Sequence, residues 1–227
     1  MRIDGERIED ALPGRQGRLA FAYLAANRRR TVTRDELTDA LWVESAGSDR
    51  LSPLLSKLRQ FVPLEGRGDI RLVLPGHAWV DIEAAAEGLH RAEAAVAQGD
   101  FAGAWGPARV AQHVATRVFL AGEEAPWIDV QRRRLEEILV RSLELVGRAC
   151  VEMGGGELDT AERAARRLIE CAPYRESGYR LLMETLAARD NTAEALLVYD
   201  ALRRRLRDEL GAAPSSSTQA LHRRLLG

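Results

Sequence analysis

Apolar positions in the first eighty residues mix two periods, and the elements they predict alternate. Within residues 15–26, Leu19, Ala22, Tyr23 and Ala26 stand at i, i+3, i+4 and i+7, the spacing of one helical face. Thr33-Arg34-Asp35-Glu36 has the S/T-x-x-E form of a capping box and leads into Leu37, Ala40 and Leu41, which predicts a second helix. After the polar break at 44–49, Leu51, Leu55, Leu58 and Val62 predict a third, with Pro63 as its stop. Pro53 fits a helix only in the first turn, so Ser52 is expected as N-cap and Pro53 as the first helical residue. Strand signals surround these helices. Asp4-Gly5 within residues 2–8 marks a hairpin turn, and residues 70–74 and 78–80, joined by Pro75-Gly76, read as a second hairpin.

Beyond Asp81 the period is helical almost throughout. Helices are expected at residues 82–97, 101–115, 127–153, 158–171, 176–188, 193–210 and 218–226. Thr160-Ala161-Glu162 and Thr192-Ala193-Glu194 recur 32 residues apart, near the ~34-residue period of tetratricopeptide helix pairs. Such pairs bury their apolar faces only by stacking, which leaves a surface open to partners. Gly154-Gly155-Gly156 has no following Gly-Lys-Ser/Thr and no preceding strand, so it reads as a turn between helices and not as a phosphate loop.

The change of pattern sets a boundary near Asp81, giving expected domains at 1–81 and 82–227. A chain of 227 residues fits two domains of ordinary size. The fold class expected is mainly α: a winged helix-turn-helix of mixed α and β structure, followed by an all-α, tetratricopeptide-like domain. Hydrophobic residues at 46% and charged residues at 30% are those of a globular protein with a core. The apolar runs are a few residues long and do not span a bilayer, and the first ten residues lack the features of a secretory signal. Cys150 and Cys171 lack metal-ligand spacing, and a cytoplasmic location without membrane partners is expected.

The net charge of −1 argues against purely electrostatic nucleic-acid binding, but the charge is unevenly placed. Residues 50–80 carry five cations, Arg50, Lys57, Arg59, Arg67 and Arg71, against Glu65 and Asp69. Three helices with strands before and a hairpin after are the order of a winged helix-turn-helix, whose recognition helix enters the major groove. With Leu51, Leu55 and Leu58 inward, Arg50, Ser52, Pro53, Ser56, Lys57, Arg59 and Gln60 face outward. Hydroxyl, amide and cationic groups of this kind bond base edges and phosphate oxygens. The DNA-binding candidates are therefore Arg50, Ser52, Ser56, Lys57, Arg59 and Gln60 on the helix, with Arg67, Arg71 and His77 on the wing. A solvated helix face with a few charges is the plainer alternative.

Other residues carry weaker signals. Arg28-Arg29-Arg30 reads equally as a phosphate contact or a solvated loop. His77, His90, His113 and His222 share no metal or acid–base spacing with each other or with the cysteines. Trp42, Trp105 and Trp127 are expected in the core, and Tyr174, Arg175 and Tyr179 between helices or along a groove. Arg132-Arg133-Arg134 and Arg203-Arg204-Arg205 are expected to pair along their helices with Glu136, Glu137, Asp208 and Glu209. No nucleophile stands with a base, so neither an enzyme nor a cofactor is expected.

These residues also carry a resemblance. Thr33-Arg34-Asp35-Glu36-Leu37 with Ala40-Leu41-Trp42, Leu55-Ser56-Lys57-Leu58-Arg59, and Pro75-Gly76 ahead of Val80-Asp81 resemble the winged helix of SARP-type transcriptional activators. Ala125-Pro126-Trp127, Arg133-Arg134-Leu135-Glu136-Glu137, Pro173-Tyr174-Arg175-Glu176, Leu182-Met183, Ala195-Leu196 with Tyr199, Glu209-Leu210-Gly211 and Pro214-Ser215 look like the bacterial transcriptional activator domain. The resemblance implies an OmpR/PhoB-like half that binds double-stranded DNA at direct repeats near promoters. It also implies a helical half that supports a homodimer on DNA, regulation and contact with RNA polymerase. Ser52 stands where relatives commonly carry a basic residue, and Pro53 follows it. These two departures motivate the alternative of a protein- or ligand-binding scaffold with a degenerate winged helix.

Overall fold

A computed structural model describes residues 2–3, 6–7, 11–42, 48–76 and 78–227, with side chains from residue 11 onward except those of residues 48 and 49. Its elements run β1 (Arg2–Ile3), β2 (Glu6–Arg7), α1 (Gly14–Ala26), α2 (Arg34–Leu41), α3 (Ser48–Leu58), β3 (Leu64–Glu65) and β4 (Arg71–Leu72). Helices follow: α4 (Asp81–Ala97), α5 (Phe101–Ala115), α6 (Pro126–Met153), α7 (Leu158–Cys171), α8 (Glu176–Ala188), α9 (Thr192–Leu210) and α10 (Ser216–Leu226). The fold is mainly α, as the sequence predicts.

The chain divides into two compact units, one of residues 1–83 and 119–132, the other of 84–118 and 133–227. In the first, β1 and β2 pair antiparallel with Arg2 opposite Arg7 and Ile3 opposite Glu6, the hairpin expected around Asp4-Gly5. Its core gathers Leu19 and Leu24 of α1, Leu37 and Leu41 of α2, and Leu51, Leu55 and Leu58 of α3, closed by Val62, Ile70 and Leu72. Residues 119–132 return to this core. Ile128 is fully buried in it, and Trp127 meets Tyr23 edge to face at 5.1 Å while its indole N–H donates to the Ala40 carbonyl at 3.0 Å. That bond satisfies a carbonyl near the end of α2 that its own helix leaves open. Arg132 holds the preceding loop by donating to the carbonyls of Phe119, Leu120 and Glu123, and its ion pair within the helix is with Asp129 at 3.5 Å and not with Glu136 or Glu137.

The second hairpin is displaced from its expected place. Strands β3 and β4 pair antiparallel, Leu64 opposite Leu72 and Glu65 opposite Arg71, and residues 78–80 form no strand. Two constraints fix this register. The backbone of Ile70 exchanges both hydrogen bonds with Val32, which anchors the returning strand to the loop before α2. Gly66 turns the chain at φ +85°, where a Cβ would drive into the Asp69 carbonyl oxygen.

In the second unit, α4 and α5 pack through small residues: Ala85, Gly88 and Ala92 against Ala104, Ala108 and Ala111. At Gly88 a Cβ would stand 2.7 Å from the Pro107 carbonyl oxygen, so bare backbone is required there. Helices α7 to α10 form the tetratricopeptide-like stack. Ala161, Ala165 and Leu168 of α7 and Ala195, Tyr199 and Leu202 of α9 are buried at corresponding positions 34 residues apart. The Gly154-Gly155-Gly156 run opens a short 3-10 turn between α6 and α7, with positive φ at Gly154 and Gly155. Trp105 is 38% exposed, with the Arg109 guanidinium 5.9 Å above its ring, so it is not the core residue expected. No helix among the described residues is long and apolar enough to cross a membrane.

Candidate nucleic-acid interface

The reading helix is built by one buried stripe. Leu51, Leu55 and Leu58 have at most 1% of their surface exposed, which fixes the rotation of α3 about its axis. Arg50, Ser52, Pro53, Ser56, Lys57, Arg59 and Gln60 are consequently all exposed. The helix begins at Ser48, four residues ahead of the expected N-cap, and Pro53 lies inside it. A proline there removes one amide donor, and the carbonyl it would have met lies at position 49, in the first helical turn. Pro53 itself projects outward, so its ring does not disturb the leucine stripe.

Ser52 is not a cap. Its hydroxyl accepts from the Arg34 guanidinium at 2.6 Å, and the same guanidinium donates to the Arg67 carbonyl at 3.3 Å. Arg59 donates to the neighbouring Gly66 carbonyl at 2.5 Å. Arg34, the first residue of α2, thus joins α2, α3 and the β3–β4 turn, a role with no sequence signal beyond its place after the capping threonine. Arg67 lies in that turn and Arg71 on β4, both exposed, so both stay on the hairpin despite its shift. His77 lies outside the described residues. Among the described residues, Arg50, Lys57, Arg67 and Arg71 enter no ion pair.

The Arg28-Arg29-Arg30 run is engaged by carboxylates. Arg28 grips Glu83 through two bonds of 2.9 and 2.7 Å, and Arg29 reaches the same carboxylate at 3.3 Å. Arg30 pairs with Glu36 and donates to the Asn27 side chain at 2.9 Å. The capping box is half formed: Thr33 accepts from the Glu36 amide at 3.2 Å, while the Glu36 carboxylate turns to Arg30 and to the Tyr23 hydroxyl, 2.6 Å away. The Arg30 guanidinium and the Tyr23 hydroxyl hold the Glu36 carboxyl down to about 2. Burial and the same carboxylate push the Tyr23 hydroxyl up to about 12. This triad fastens α1 to α2.

In the helical unit, polar groups are likewise paired with one another. Glu144 accepts from Arg175 at 2.7 Å and from Ser177, and Glu176 accepts from Ser215 and Thr218. Tyr179 is buried with its hydroxyl donating to the Pro173 carbonyl, whereas Tyr174 is half exposed and donates to Glu209. Arg203 and Arg205 pair along α9 with Asp200 and Glu209. His222 stacks on Tyr199 at 3.8 Å. No group of three or more His, Cys, Asp or Glu side chains able to hold a metal occurs among the described residues.

Residues 80–226 match the family described as the bacterial transcriptional activator domain. The chain belongs to that family. The family is one of transcription regulators and not of enzymes, and the SARP-type resemblance read from the sequence holds. The chain is 33% identical over 232 residues to the regulatory protein AfsR of Streptomyces coelicolor, covering 98% of this chain and 23% of AfsR. It is 30% identical over 218 residues to AfsR of Streptomyces griseus, covering 93% of this chain and 22% of that protein. The chain therefore spans less than a quarter of the length of these curated relatives. Among solved structures, Mycobacterium tuberculosis EmbR, in complex with a low-affinity phosphopeptide, matches with a TM-score of 0.83 at 24% identity, over 100% of this chain and 62% of that one. The likeness shows the fold: mainly α, with a winged helix and tetratricopeptide-like helices.

Proposed function

We propose that this chain regulates transcription by binding double-stranded DNA, with α3 in the major groove and the β3–β4 hairpin as the wing. The observation that carries this reading is the division of α3: its leucines are buried to within 1%, while Arg50, Ser52, Ser56 and Lys57 on the helix, with Arg59 and Gln60 in the turn that follows it, are exposed. Those groups suit base edges and phosphates. Arg67 and Arg71 place cations on the wing among the exposed carboxylates of Glu65 and Asp69, and His77 is assigned to it on sequence alone. Residues 1–81 act as the DNA-binding domain, and residues 82–227 as the domain for dimerisation, regulation and contact with RNA polymerase, a division resting on the family match and the sequence pattern. With few cations on the face, one copy binds weakly, and two copies on repeated half-sites gain affinity through effective concentration.

Selection of duplexes from a random 40-base-pair library with the full chain tests the proposal. The expected result is a repeated motif enriched over successive rounds. A library that stays random while the protein remains folded overturns it in favour of a scaffold.

A further inference from the structure

The wing touches the reading helix through two side chains that each bond a backbone carbonyl at its turn. Arg34 donates to the Ser52 hydroxyl at 2.6 Å and to the Arg67 carbonyl at 3.3 Å, and Arg59 donates to the Gly66 carbonyl at 2.5 Å. A guanidinium suits this task because its donors diverge in a rigid plane, so one group serves two acceptors on different elements. Arg34 is partly buried and sits on α2, whose Leu37 and Leu41 are anchored in the core. The clamp is therefore referred to the body of the domain. The β3–β4 hairpin has only two residues in each strand; Ile70 and Leu72 seat its base in the core and the Ile70–Val32 bridge ties its backbone, while its turn, residues 66–69, is exposed. A ladder that short is marginal by itself.

We infer that Arg34 is a positioning residue for DNA recognition: by bonding Ser52 and the Arg67 carbonyl together, it presets the distance between the reading helix and the wing. Ser52 is then an acceptor within the protein, and contact with bases and phosphates falls to the other exposed residues of the face. The role rests on the proposed DNA binding and deepens it. Preset spacing favours a duplex whose groove and flanking phosphates match that distance. It adds little on an arbitrary duplex, where the contacts are not in register.

Two measurements on the full chain test this. The first needs no DNA. Amide hydrogen exchange of peptides covering residues 64–72 is expected to quicken in Arg34→Ala and, to a smaller degree, in Ser52→Ala, while peptides of α1 remain protected as in the parent. Unchanged exchange at the wing in Arg34→Ala overturns the inference. The second uses the duplex enriched from the random library and a shuffled control. Arg34→Ala should lose about 10-fold in affinity for the enriched duplex and much less for the control. The Arg34→Ala/Ser52→Ala double variant should be no weaker than Arg34→Ala, because the two removals break one connection. Arg34→Lys should not restore the preference, since an ammonium lacks the planar fork. Equal losses on both duplexes, with a salt slope lower by about one, would make Arg34 a plain phosphate contact and overturn the positioning role. Failure of the parent chain to enrich any duplex removes the DNA reading and this role with it, whatever the exchange data show.

Discussion

Glu36 illustrates how one residue takes work from three directions. Its amide is capped by Thr33, and its carboxylate is held by Arg30 and Tyr23, which keeps its proton affinity low. A carboxyl whose folded value lies at about 2, against about 4.5 when unpaired, favours the folded state above pH 4.5, and that contribution fades as pH falls toward 2. Glu36→Gln is expected to destabilise the N-terminal half by about 1 kcal/mol near neutral pH, a figure kept small because Arg30 is half exposed and water screens the pair. Thermal melts of both proteins across pH 2–7 check this: the gap in Tm should close at the acid end, and a constant gap would place the effect elsewhere. Lys57 tests the other side of the domain. It is exposed on α3 and enters no ion pair among the described residues, so Lys57→Ala should leave the free energy of unfolding within about 0.5 kcal/mol of the parent's. It should also lower the slope of log affinity against log salt by about one on duplex DNA. An unchanged slope would remove Lys57 from the contact set.

At the level of elements, the helices, the first hairpin and the glycine turn before α7 were legible, but the wing was not. The leucine stripe of α3 and the capping threonine of α2 are properties of spacing, so burial of Leu51, Leu55 and Leu58 and the cap at Thr33 followed from the sequence. The wing did not, because two hairpin signals compete within residues 63–80. Pro75-Gly76 is the stronger local signal, but Gly66 sits where a left-handed turn lets Ile70 reach Val32, and that long-range bridge decides the register. Gly66→Ala should therefore cost roughly 1–3 kcal/mol and loosen the hairpin. Amide exchange across residues 64–72 reads the loosening, and a parent-like pattern would show that the turn tolerates a side chain. Pro53 does not mark the helix start that its missing amide suggests, because α3 extends a further turn ahead of it. Repetition in the helical half shows the same contrast between words and burial. The matching Thr-Ala-Glu words are 32 residues apart, but the buried positions repeat at 34, since Ala161 is inside and Ala193 is outside. Packing and not identity carries the period.

For the whole molecule, the order of three helices, hairpin and helical stack was readable from periodicity, and the match of residues 80–226 to the activator-domain family agrees with it. What periodicity did not convey is that residues 119–132, distant in sequence, complete the core of the N-terminal unit through Trp127 and Ile128. Local spacing carries no information about which core a loop joins, and only the Ala125-Pro126-Trp127 motif hinted at a fixed role. The candidate interface was legible as a set of outward residues, but not the internal bonds from Arg34 and Arg59 that tie the wing's turn to the body of the domain. The account depends on the exposed face of α3 reading DNA, and a competition titration tests that most directly. The full chain and a Ser56→Ala/Lys57→Ala/Gln60→Ala variant are each titrated against the library-enriched duplex and its shuffled counterpart at one fixed salt concentration. All three positions are exposed, so the variant should melt with the parent. The account predicts that the parent's preference for the enriched duplex falls at least about 10-fold in the variant. A preference that survives the three substitutions intact would contradict it.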